Sequence, residues 1–186
     1  MRDRMEVKPN LVLTGLMGCG KTTVGRIIAT ELGWGFLDTD RLIEEATGST
    51  IPALFREKGE PYFRQVEKEV IHGLVGKTRT VVATGGGAVL NGENRRVLQS
   101  FGLVIYLKAS PEVLGGRVIL SGNRPLLFGQ NPVDVLAELL HEREKFYSEA
   151  DEVINTDQRT PEEVAAAIIL LARRWGINTG SPGRRS

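Results

Sequence analysis

The chain has 186 residues, 41% of them hydrophobic, and a formal net charge of +1 at pH 7, which suits one domain around one core. That balance gives no electrostatic reason to expect nucleic acid or an anionic membrane as partner, and no apolar run approaches the roughly 18 to 20 residues that span a bilayer. The polar start Met1-Arg2-Asp3-Arg4 lacks a signal peptide's apolar region, and the single cysteine, Cys19, allows no internal disulfide, so a cytoplasmic protein is expected; with nothing that suggests a dedicated dimer helix, a monomer is the default.

Leu11-Val12-Leu13-Thr14 is a short apolar run of buried-strand type. It leads into Gly15-Leu16-Met17-Gly18-Cys19-Gly20-Lys21-Thr22, which fits the pattern G-x-x-x-x-G-K-[ST] and has Thr23 behind it. Such a loop predicts a nucleoside triphosphate site. Backbone N–H groups can wrap a phosphate only where no Cβ intrudes, and Gly15, Gly18 and Gly20 give that freedom. Lys21 would reach the β- and γ-phosphates, Thr22 would offer its hydroxyl to Mg²⁺, and the helix starting there would point its positive end at the anion. Val24, Ile27, Ile28 and Leu32 carry that helix at regular spacing to Gly33. Cys19 reads first as a small filler in the loop and second as a thiol that a helix N-terminus could activate.

Trp34 to Asp38 reads as a second strand, with Asp38-Thr39-Asp40 at its C-terminal edge. Open α/β sheets bind ligands outside that edge, which puts both carboxylates in reach of metal, phosphate or substrate. Asp40 has a second reading, as the N-cap of the helix bearing Leu42, Ile43 and Ala46. From Gly48 to Gly76 the pattern is helical, with a short helix ended at Gly59 and a longer one carrying Phe63, Val66, Val70, Ile71 and Leu74. Arg64 and Glu67 lie three residues apart on its polar face, where the plain reading is an exposed ion pair. His72 is assigned no chemistry.

Thr80 to Thr84 is a third strand that runs into Gly85-Gly86-Gly87, a turn that could leave room for a ligand against bare backbone. A helix over Glu93 to Ser100, a fourth strand over Leu103 to Leu107, and a helix opened by Ser110-Pro111 follow. Residues 121–132 then form a long loop of the kind that serves as a lid, with Arg124 before its proline. A helix from Pro132 to Tyr147, a last strand over Glu152 to Asn155 and a helix capped by Thr160 and Glu163 complete the pattern. The alternation predicts a P-loop type, doubly wound α/β fold: a five-stranded parallel sheet with helices on both faces and a mobile lid. One domain is expected over 1–177, with substrate helices at about 40–76 and a lid at about 118–133. Residues 178–186 read as a disordered tail.

Several of these stretches together resemble the shikimate kinase family, itself similar in fold to nucleoside monophosphate kinases. The resemblance covers roughly Asn10 to Ala172. It rests on the phosphate loop, Leu37-Asp38-Thr39-Asp40, Gly59-Glu60-Pro61-Tyr62-Phe63-Arg64 with Glu67, Gly85-Gly86-Gly87, Arg124-Pro125-Leu126-Leu127 and the Arg143/Tyr147 helix. It implies ATP-dependent phosphorylation of the 3-hydroxyl of shikimate, a step toward chorismate and the aromatic amino acids. By the same resemblance ATP lies on Gly18, Cys19, Gly20, Lys21, Thr22 and Thr23, with Arg117, Arg124 and Arg159 also on the nucleotide. Mg²⁺ sits on Thr22 with Asp38 in its outer shell. Shikimate is held by Asp40, Arg64, the turn Gly85, Gly86 and Gly87, and Arg143, and Lys21, Asp40 and Arg124 act in catalysis.

The chemistry agrees with that assignment. Two guanidiniums suit a carboxylate, a carboxylate suits a hydroxyl nucleophile, and cations offset charge on the transferring group. The third strand ends Val82-Ala83-Thr84 and carries no aspartate of the usual Walker-B kind, which leaves Asp38 as the available carboxylate for the metal. Other readings are a gluconate or nucleoside monophosphate kinase, a GTPase switch, and a catalytically silent ATP-binding protein. The GTPase reading wants an N-K-x-D motif, which does not occur; the silent one conflicts with the intact Lys21, Thr22, Asp38, Asp40 and Arg124.

Overall fold

In the computed structural model, residues 8–121 and 131–179 are described. Five strands, β1 (Leu11–Thr14), β2 (Gly35–Asp38), β3 (Thr80–Ala83), β4 (Leu103–Lys108) and β5 (Glu152–Asn155), form one sheet in the order β2-β3-β1-β4-β5, all neighbours parallel. The three inner strands are apolar along almost their whole length because both of their faces are covered. Alternation then splits their side chains between two cores. Leu11, Leu13, Val81, Leu103, Ile105 and Leu107 pack with α1 (Lys21–Leu32) and α7 (Pro161–Arg174). Val12, Val82 and Val104 face the other way, onto Ile71, Leu98 and Phe101 from α3 (Ile51–His72) and α4 (Gly92–Phe101).

β1 lies between β3 and β4, so the chain winds to one side for β2 and β3 and to the other for β4 and β5. The crevice that this reversal opens at the strands' C-terminal ends is where open α/β sheets place ligands, and the phosphate loop follows β1 directly into it.

α2 (Thr39–Thr47) and α3 hold a small core of their own, in which Ile43 packs with Leu54, Phe63 and Val66. α3 is interrupted where the sequence placed a stop: Gly59 adopts φ 78° and ψ 170°, and Pro61 follows it. α5 (Pro111–Ser121) and α6 (Pro132–Tyr147) are longer than the expected lid boundaries allow, so both ends of the 118–133 segment are helical. Its middle, with Arg124, lies outside the described residues. α7 begins with the expected capping box, Thr160 and Glu163 bonding each other's backbone. Thr179, assigned above to a loose tail, is buried, and its hydroxyl accepts a hydrogen bond from Arg173 Nε at 2.9 Å. The packed chain therefore extends past residue 177.

Candidate active site

The phosphate loop needs glycine for two separate reasons. Gly15, Gly18 and Gly20 have φ values of +141°, +81° and +98°, which L side chains rarely adopt, and a Cβ on Gly15 would sit 2.6 Å from the Leu107 carbonyl oxygen. Lys21 is folded over the loop, its Nζ donating to the carbonyls of Gly15 at 2.8 Å and Leu16 at 3.0 Å. Cys19 is 1% exposed, with its sulfur 3.6 Å from Lys21 Nζ, a position that agrees with the filler reading.

Behind the loop, Thr22 Oγ1 donates to Asp38 Oδ2 at 2.8 Å. The other oxygen, Asp38 Oδ1, accepts from the Asp40 backbone N–H at 3.1 Å and caps α2. The capping duty considered for Asp40 thus falls to Asp38. Asp40 is left with its carboxylate turned toward the middle of the site. A cleft of about 840 Å³ opens here, lined by residues 17–24, Asp38, Asp40, Thr84 and Gly86 and, across from them, by Arg117, Thr156 and Arg159. All described residues expected to touch nucleotide are on its wall. Arg117 is fixed in place, donating from Nη1 to Thr156 Oγ1 at 3.2 Å and from Nη2 to the Thr156 carbonyl at 3.0 Å.

Arg64, Gly85, Gly87 and Arg143 stand back from this wall and join it through Asp40 and Gly86. Here the exposed-pair reading of Arg64 and Glu67 is overturned. Glu67 is 1% exposed and accepts from Arg64 Nη1 at 2.9 Å, while Arg64 Nη2 and Nε also reach the exposed Glu60, at 3.0 and 3.1 Å. The residue is buried on α3, and its Oε1 lies beside the glycine turn, 3.3 Å from where a Cβ on Gly85 would stand. The two acids of this cluster hold their protons more tightly than usual. Burial is the main cause for both; the neighbouring Asp38 adds to it for Asp40, while Lys21 and Arg64 pull Asp40 back down. Arg64 and, more weakly, Arg143 do the same for Glu67. Arg143 and Arg64 therefore act on one buried carboxyl from two different helices.

The glycine turn is less empty than its sequence suggests. A Cβ on Gly85 would meet Asp40 Oδ1 at 2.5 Å, and one on Gly87 would meet Arg64 Nη1 at 2.5 Å. Two of the three bare positions are occupied by the protein's own charged side chains, which pass directly over the backbone. Gly85 N–H donates to the buried Thr39 hydroxyl at 2.8 Å, and the Gly86 carbonyl accepts from Tyr147 Oη at 2.6 Å.

Oxygen donors suit a hard cation, and Thr22 and Asp38 bring a hydroxyl and a carboxylate together beside the phosphate loop. No group of three or more His, Cys, Asp or Glu able to hold a metal occurs among the described residues. The donor set fits an ion that takes most of its ligands from phosphate and water, the habit of Mg²⁺. Sequence reasoning passed over Thr39, the burial of Glu67 and the hydroxyl of Tyr147. The last had a signal: Tyr147 is four residues after Arg143, so one helical face carries both.

The shikimate kinase family model matches residues 17–172. A shikimate kinase of Moorella thermoacetica is 45% identical over 166 residues, covering 89% of this chain and 95% of that protein. The one from Methylococcus capsulatus is 48% identical over 173 residues, covering 92% and 97%. Among solved structures, shikimate kinase from Acinetobacter baumannii in complex with shikimate superimposes with a TM-score of 0.85 at 42% identity, covering 91% of this chain and 96% of that one.

Proposed function

The chain belongs to the shikimate kinase family and is an ATP-dependent kinase; we propose that its cleft moves the γ-phosphoryl group of ATP to the 3-hydroxyl of shikimate, giving shikimate 3-phosphate and ADP. The observation that carries this reading is the place of Asp40, which lines the cleft together with Lys21 of the phosphate loop and lies over Gly85 of the glycine turn that Arg64 crosses at Gly87. A small hydroxy acid bound there has its hydroxyl at the phosphates and its carboxylate at the arginines.

Arg64 and Arg143 hold the substrate carboxylate, since a guanidinium stays charged and can bind it through two parallel hydrogen bonds. Gly85, Gly86 and Gly87 keep the backbone low enough for Asp40 and Arg64 to lie across it, and Gly86 offers its N–H to the ligand. Asp40 orients the 3-hydroxyl and takes its proton as the new bond to phosphorus forms; its raised proton affinity suits a base more than that of an ordinary surface aspartate would. Lys21 leaves the Gly15 and Leu16 carbonyls and turns to the β- and γ-phosphate oxygens. Gly18 to Thr23 cradle the phosphates, Arg117 and Arg159 flank the rest of the nucleotide, and Arg124 is assigned to the phosphates on family resemblance. Thr22 and Asp38 would hold Mg²⁺, and the ion would supply positive charge against the phosphate oxygens.

A monomer in the cytoplasm is the setting we propose; Cys19 is free and buried, and no helix among the described residues is long and apolar enough to cross a membrane. A coupled ADP-release assay with shikimate, gluconate and nucleoside monophosphates tests the substrate. Turnover that depends on shikimate supports the proposal, and a preference for either of the others rejects it.

A further inference from the structure

Tyr147 closes α6 and is fully buried, its ring stacked on Tyr106 with centroids 4.9 Å apart and planes 16° from parallel. Its hydroxyl points away from that stack, into the glycine turn, and donates to the Gly86 carbonyl at 2.6 Å. One helical turn earlier on the same face, the Arg143 guanidinium lies beside the same phenol oxygen and acts on its ionisation. A single hydroxyl therefore bonds the turn after β3 and lies in the field of an arginine on α6. Nothing in the phosphoryl-transfer scheme above uses it.

We propose that Tyr147 is a positioning residue for shikimate: it locks the Gly86 peptide and the Arg143 guanidinium in one relative geometry, so that both meet the substrate carboxylate together. The inference rests on the shikimate reading. The reasoning is geometric. The Gly86 N–H and carbonyl lie in adjacent planar peptide units joined at one Cα, so a hydrogen bond that holds the carbonyl restrains the Gly86 backbone and with it the facing of the N–H offered to the ligand. Glycines in a turn have more backbone freedom than other residues and gain most from such a tether. A burial that pushes the phenol's ionisation well above the usual range keeps the hydroxyl protonated, hence a donor, at any working pH. Tyr106 makes a useful contrast. Its hydroxyl donates to Glu144 Oε2 at 2.8 Å, away from the turn, while its ring offers the same stack.

The test compares wild type with Tyr147→Phe, which keeps the ring and loses only the hydroxyl, and with Tyr106→Phe. Shikimate and ATP are titrated separately by calorimetry, and steady-state kinetics are run on each protein. The wild-type titration comes first: no shikimate binding there would sink the functional reading and not the role of Tyr147. With wild-type binding in hand, Tyr147→Phe should weaken shikimate about tenfold, appearing in KM more than in kcat, while ATP affinity stays within about twofold. Tyr106→Phe should leave both affinities close to wild type. In an Arg143→Ala background the added loss from Tyr147→Phe should shrink, because the hydroxyl acts partly through that arginine. Unchanged shikimate affinity in Tyr147→Phe, an equal loss of ATP affinity, an equal effect of Tyr106→Phe, or full additivity with Arg143→Ala would each overturn the proposal.

Discussion

Alanine at position 85 would put its Cβ 2.5 Å from Asp40 Oδ1 and 3.3 Å from Glu67 Oε1. Gly85 is not among the glycines with positive φ, so the backbone accepts alanine without strain and the whole effect is one of space. Carbon and oxygen settle no closer than roughly 3.4 Å, so the Asp40 carboxylate must retreat by about 1 Å. A carboxylate on a short side chain makes that move at little expense to stability. The same displacement of a group that orients the nucleophile can lower the rate on the order of a hundredfold, about 2.7 kcal/mol in the transition state. Gly87→Ala would instead push on Arg64 Nη1 and Nη2, at 2.5 and 2.6 Å, and should raise KM for shikimate more than it lowers kcat. Gly92→Ala, away from the cleft, is the comparison, since its Cβ would come no nearer than 3.6 Å to Arg95 Nη2, an ordinary contact. The assay is steady-state kinetics on the three purified variants with a thermal melt on each. Near wild-type turnover in Gly85→Ala, or a loss in Gly92→Ala as large as in Gly85→Ala, would refute the argument that side-chain clearance sets this turn.

Lys21→Ala should abolish phosphoryl transfer and leave the melting temperature close to wild type; normal turnover in the purified variant would reject the loop assignment. Asp38→Asn should shift the Mg²⁺ dependence, whereas Asp40→Asn should lower turnover at saturating Mg²⁺, and identical Mg²⁺ and shikimate responses in the two would undo the division of roles. Arg143→Ala should weaken shikimate by about ten- to a hundredfold with ATP affinity unchanged, and arginine-to-lysine replacement should restore only part of it, as calorimetric titration would show. The Asp40 carboxyl has a folded-state pKa raised above its unfolded value of 3.8, so its contribution to stability is fully present below that value and is lost as pH rises through the raised one. Asp40→Asn should therefore melt higher than wild type at neutral pH, with the gain fading as pH falls toward 4; a lower melting temperature at neutral pH would contradict it.

What could be read from sequence divides along physical lines. The strands and the phosphate loop were legible because apolar runs, helical periods and a glycine pattern are local signals. β1 and β5 match their predicted limits, and the Gly59 break and the Thr160 cap stand where composition placed them. The division of labour between Asp38 and Asp40 was not legible, since both are spaced to cap or to bind, and only the hydrogen bond from the Asp40 N–H to Asp38 Oδ1 separates them. Glu67 was hidden for a related reason. Three-residue spacing from Arg64 describes a pair without saying which side of the helix is covered, and here the glutamate is buried beside the glycine turn. The glycine turn showed bare backbone, but the side chains that fill the space come from α2 and α3, some twenty or more residues earlier in the chain.

The two arginines given to the substrate carboxylate start from different electrostatic positions. Arg64 is already answered by two acids: the buried Glu67, and Glu60, whose side chain is 59% exposed. Arg143 forms no ion pair among the described residues, although its charge reaches Glu67 and the Tyr147 hydroxyl. An incoming carboxylate can displace Glu60, since an exposed pair contributes only tenths of a kcal/mol to about 1 kcal/mol, while Glu67 keeps Arg64 in place from behind. Arg64 then trades one carboxylate for another and adds mainly geometry. Arg143 gains a partner it lacked and adds most of the net attraction. Removing Arg64 has the further consequence of leaving Glu67 buried without its guanidinium, so Arg64→Ala carries a stability loss of roughly 1 to 3 kcal/mol, tempered by protonation of a glutamate whose proton affinity is already raised. Arg143→Ala strands no buried acid in this way, and its effect on shikimate affinity is therefore the cleaner measure of how strongly the site binds an anion.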